Sequence, residues 1–67
     1  MDTSIPLDRS LVSIQAWIAS LNMWAGNDKA RNNEAAKAVS YGIRFIKSKP
    51  AKAAATKALE IYEIKSK

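Results

Sequence analysis

Leu7, Leu11, Ile14, Ile18, Leu21 and Ala25 recur at spacings of 4, 3, 4, 3 and 4. That order puts six apolar side chains on one face of a helix and is the clearest periodic signal in the chain. The same segment lies inside an unusual run, because residues 10–27 carry no charged side chain. Eighteen uncharged residues raise the question of a membrane span, but six of them are polar: Ser10, Ser13, Gln15, Ser20, Asn22 and Asn27. A span needs about 20 predominantly apolar residues. The run therefore reads as a helix that is buried or interfacial, and no membrane is expected as a partner.

Punctuation divides the rest. Pro6 suits a first helical turn, where its missing N–H costs nothing. Gly26-Asn27-Asp28 offers a left-handed stop followed by an N-cap. Lys49 precedes Pro50 and is pushed out of the helical region, so a helix ends there and another opens at Pro50. The expected helices cover residues 6–25, 28–47 and 50–65 of a single helical domain, residues 1–67. No window alternates with period two, so no strand is expected. Ala35, Ala36, Val39, Gly42, Ile43 and Ile46 line one side of the second helix, with Ala38 and Phe45 at its margin. Ala51, Ala54, Ala55, Ala58, Ile61 and Tyr62 line one side of the third. These small residues let two helices approach closely while the first supplies bulk. The expected fold is all-α, a small antiparallel three-helix bundle, and the alternative is a helical hairpin completed by dimerisation.

Composition narrows function. The 67 residues include no His and no Cys, which removes imidazole and thiol mechanisms, the commonest metal sites and any disulfide framework. Two glycines cannot build a phosphate-cradling loop of the P-loop kind. Asp2, Asp8 and Asp28 sit near expected helix starts, where carboxylates serve orphan N–H groups. Glu60 and Glu63 lie one turn apart near Lys57 and Lys67, and solvated ion pairing is their ordinary role. The expectation is a non-catalytic chain without metal or cofactor. Asp2 and Asp8 precede any apolar run, so the cationic start of a secretory signal is missing, and a cytoplasmic location is expected.

Two surfaces are candidates for binding. The net charge of +5 arises entirely in residues 34–67, which hold eight bases and three acids. Residues 35–59 contain no acid at all. Asn33, Lys37, Ser40, Arg44 and Lys47 follow helical spacing on the second helix, and Lys49 and Lys52 extend the stripe around the joint. Along about 20 Å such a stripe meets several phosphates of a nucleic-acid backbone without reading sequence. An opposite polar face is also what any amphipathic helix shows. The second candidate is the uncharged helix. Trp17 and Trp24 flank its apolar stripe beside Ser13 and Ser20, and Val12, Ala16, Ala19 and Met23 form a second apolar strip. A helix apolar on more than one side is sandwiched or is an interface, and Trp is enriched at hot spots.

The first expectation is a protein–protein interaction module: an adaptor, inhibitor or self-assembling subunit. Its interface is Trp17, Trp24, Val12, Met23, Ser13 and Ser20, with an acidic partner favoured or a homo-oligomer formed through the first helix. The alternative is a nucleic-acid accessory protein using Lys37, Ser40, Arg44, Lys47, Lys49 and Lys52 on phosphates.

Overall fold

The computed structural model describes residues 3–67, and Asp2 lies outside the described residues. Its helices are α1 (Leu11–Ala25), α2 (Lys29–Gly42) and α3 (Lys49–Lys65), with a 3-10 turn at Ile43–Phe45.

α1 begins five residues later than Pro6 suggests, because side chains at Asp8 and Ser10 take up the N–H and O–H groups of its first turn. Ser10 is extended and its Oγ accepts the Ser13 N–H at 3.3 Å. The Asp8 carboxylate accepts from the Ser10 N–H at 3.1 Å and from the Ser13 hydroxyl at 2.9 Å. The Ser13 hydroxyl, followed by the Ser10 N–H, holds the Asp8 pKa below its ordinary value. A capped start outweighs a proline that is merely compatible with one. Leu7 therefore leaves the apolar stripe and stands 95% exposed, and Ile5 packs against the core instead.

The joint between α1 and α2 forms where expected. Gly26 adopts φ +49° and donates to the Asn22 carbonyl at 3.0 Å, and Asp28 caps α2 by accepting the Arg31 N–H at 2.9 Å. Buried Asn32 staples the joint from below: its Nδ2 donates to the carbonyls of Gly26 at 3.1 Å and Asp28 at 2.8 Å.

α2 stops at Gly42 rather than at residue 47. A Cβ at Gly42 would lie 3.0 Å from the Trp17 ring and 3.2 Å from Ile5 Cβ, so the backbone passes directly under both side chains. The chain then tightens into the 3-10 turn, and Ile46 is extended and buried. Unwinding there turns Ile46 inward and leads into α3, which has Pro50 in its first turn, one residue from the expected start.

The start of α2 contacts the loop after α1, while its end meets Trp17 in the first half of α1, so the two helices run antiparallel. The structure is a three-helix bundle. Ile14, Leu21, Val39 and Tyr62 fill its centre, and buried alanines (Ala35 and Ala36 on α2; Ala51, Ala55 and Ala58 on α3) bring α2 and α3 into the widest contact. The Tyr62 hydroxyl donates to the Ile18 carbonyl at 3.1 Å, and burial pushes its pKa up to about 12. The radius of gyration, 10.7 Å, matches the ~11 Å of a compact chain this long. One copy thus closes its own core, and the dimer-completed hairpin is set aside. Among the described residues, no helix is long and apolar enough to cross a membrane.

Candidate binding surfaces

Burial separates the two tryptophans of α1. Trp17 is 7% exposed, and its indole N–H donates to the Thr3 carbonyl at 3.3 Å. It is a core residue, so its expected place in an interface is corrected: the segment before α1 folds over it. Trp24 is half-buried under a cation. The Arg31 guanidinium sits 5.6 Å from the Trp24 ring centroid and donates to the Trp24 carbonyl at 3.0 Å. Ser13 is partly exposed, and its hydroxyl donates to Asp8 in the cap. Ser20 is exposed.

The second apolar strip of α1 stays in solvent. Val12 is 75% and Met23 87% exposed, and Ala16 and Ala19 between them are exposed too. On its α3 side this strip runs into a groove that the sequence did not reveal. Ile18, Ala54, Ala58 and Ile61 form the groove's apolar floor, and Gln15, Asn22 and Lys57 edge its volume of about 240 Å³. Ile61 belongs to the groove rather than to the core stripe assigned to the third helix. Its signal was faint, since only the packing of α1 on α3 decides which edge of that stripe stays open.

The basic stripe does not form one helical line. α2 carries it through Asn33, Lys37 and Ser40, Arg44 lies on the 3-10 turn, and Lys47 follows the extended Ile46. Lys37 is not free of acid either, because its Nζ is 3.6 Å from Glu34 Oε1, both largely exposed. A pair this open contributes little stability. Lys49 and Lys52 lie in the first turn of α3 and, with Lys57, line a shallow concavity of about 450 Å³ beside Thr56 and Glu60. Glu60 and Glu63 are exposed and enter no ion pair among the described residues.

An aromatic pair lies within this basic region. Tyr41 is 64% exposed and Phe45 39%, their ring centroids 5.4 Å apart in an edge-to-face arrangement. The Arg9 guanidinium covers Phe45 at 5.3 Å. Tyr41 also walls a cleft of about 190 Å³ between the N-terminal segment and α2, lined by Thr3, Ser4, Ile5 and Ala38. The sequence signal was present, because Tyr41 stands one turn after Lys37 and one turn before Arg44. Phe45, expected at the margin of the core, is 39% exposed and carries Arg9 over its ring.

No protein-family model matches the chain, and no curated protein or solved structure matches it.

Proposed function

We propose that the chain is a non-catalytic protein-interaction module that self-associates through the outer face of α1. The observation that carries this reading is an uncharged strip, with Val12 75% and Met23 87% exposed, on a chain of net charge +5. Two copies meeting through residues 34–67 would set lysine against lysine. Meeting through the Val12–Met23 strip itself sets no cation against another, and Lys57 stands only at the rim of the adjoining groove. Ala16 and Ala19 at the centre of the strip let two helix backbones approach closely, and the groove beside Ile18 gives a partner's side chain an apolar place to rest.

Size sets the expected strength. From Val12 to Met23 the strip is about 17 Å long, which supports a patch smaller than the ~800 Å² per partner of a standard interface. The dimer is therefore reversible, with a dissociation constant in the micromolar range or weaker. Lys57 on the groove rim favours an acidic helix if the occupant is a different protein. The absence of cysteine suits a reducing interior, and we place the module in the cytoplasm.

Sedimentation equilibrium across a concentration series tests the reading. A concentration-dependent dimer is expected, and Met23→Glu is expected to weaken it at least about tenfold, since each dimer would bury two unpaired carboxylates. A chain that stays monomeric at the highest concentrations, or a dimer indifferent to Met23→Glu, would overturn it.

A further inference from the structure

We propose that the Tyr41 cleft binds a nucleobase of single-stranded nucleic acid, with neighbouring cations holding the flanking phosphates. A single strand is recognised by an aromatic face for the base and positive charge tracking the backbone, and this surface places both together. Tyr41 supplies an exposed ring, and the cleft it walls holds about 190 Å³. That is the share of about six liquid waters, room for one planar ring. Ile5 and Ala38 give the cleft an apolar floor, and Thr3 and Ser4 give it a polar edge.

Charge surrounds the ring. Lys37 and Arg44 precede and follow Tyr41 by one turn, Arg9 stands over neighbouring Phe45, and Lys47 comes two residues further on. Among the described residues, Glu34 is ion-paired with Lys37 at 3.6 Å, and Asp8, the chain neighbour of Arg9, is engaged in the α1 cap. Arg9 already covers one side of Phe45, whereas Tyr41 is 64% exposed and walls the cleft. In a duplex the bases are stacked and paired, and a cleft beside one exposed ring cannot reach their faces without opening the helix. The site therefore prefers single strands. It differs from a purely phosphate-binding basic stripe, which gains nothing from an unstacked base. It is independent of the dimer, because it shares no residue with the outer strip of α1.

The test is fluorescence anisotropy of a short labelled mixed-sequence oligonucleotide, as single-stranded DNA, single-stranded RNA and duplex, titrated with the full chain at low and near-physiological salt. Single strands are expected to bind more tightly than duplex, with affinity falling as salt rises. Tyr41→Ala is expected to lose about tenfold in affinity, and Tyr41→Phe, which keeps the ring, to lose little. Arg44→Glu is expected to lower the salt slope by about one. Self-association is read separately by sedimentation, and the cleft shares no residue with the α1 strip, so failure here and failure of self-association are separable. Equal binding of duplex and single strand with no response to Tyr41→Ala would overturn the cleft and leave a phosphate contact only. Absence of binding at low salt would overturn it as well.

Discussion

The outer face of α1 and the basic end of α2 both expose apolar surface, and they differ in what surrounds it. Val12 and Met23 stand among alanines and a serine with no charge on the face, whereas Tyr41 and Phe45 stand among Arg9, Lys37 and Arg44. Apolar surface without charge is complementary to more of the same, so it suits a second copy. Apolar surface ringed by cations is complementary to a flat anion-bearing ligand. Exposure alone does not separate the two proposals; the charge beside the exposed group does.

Trp17 lies behind both surfaces, and removing it makes the largest change expected. Its ring packs over Gly42 at the end of α2, and its N–H holds the segment that forms the Tyr41 cleft. Trp17→Ala is expected to cost about 3–5 kcal/mol. A domain this small holds about 5 kcal/mol in all, so both surfaces should be lost together. Trp24→Ala, at a half-buried ring, should cost about half as much. Thermal melts followed by far-UV circular dichroism check the pair. Equal shifts for the two variants would show that the N-terminal segment does not bury Trp17 in solution.

That asymmetry marks where sequence reasoning stops. Seven residues turn a helix by nearly two whole turns, so Trp17 and Trp24 share a side, and periodicity cannot tell them apart. What separates them is non-local: Thr3 folds back over one, and Arg31 lies across the other. The three helices were legible because apolar spacing, Gly26-Asn27-Asp28 and Pro50 all agree on them. The start of α1 was misplaced because Pro6 and Ser10 are rival signals, and the cap built by Asp8 decides between them. The end of α2 was misplaced because the chain tightens into a 3-10 turn at Ile43–Phe45 and goes extended at Ile46, which buries that side chain, and no local pattern records this. Of the site residues, Val12 and Met23 were legible as an odd second strip. The groove beside Ile18 depends on how α3 lies against α1, and a single chain's spacing carries no trace of it.

Tyr62 sharpens the comparison from the other side, since it supports α1 and not the Tyr41 cleft. Its hydroxyl donates to the Ile18 carbonyl, beside the groove. Tyr62→Phe is expected to cost about 1 kcal/mol by leaving that carbonyl one bond short. Burial raises the pKa from 10.0 to about 12, so the folded state holds the phenol proton more tightly than the unfolded state. The stability linked to this proton is therefore complete below pH 10 and is lost as pH rises through about 12. The readout is the difference between the parent chain and Tyr62→Phe, in which every contribution the two chains share cancels. The parent should lose stability more steeply with pH. Parallel curves would mean that Tyr62 is hydrated rather than packed.

Asp8 gives the smallest effect and acts on the opposite surface. It caps α1 from the segment that carries Arg9 to Phe45 and Ile5 to the Tyr41 cleft, while Met23 lies at the far end of the same helix. The Ser13 hydroxyl and the Ser10 N–H hold its pKa below 3.8, so the folded state favours the ionised form. The linked stability is present above that value and is lost as pH falls through the folded pKa, because a protonated carboxyl is a weaker acceptor for both donors. Acidification below about pH 4 should therefore loosen the N-terminal segment before it unfolds the bundle. Ring signals of Phe45 and Tyr41 in proton NMR spectra should shift while the Met23 methyl signal stays in place, and Asp8→Asn should show the same pattern at neutral pH. If Met23 moved together with Phe45, the two surfaces would respond as one body, and the separation drawn between them would fail.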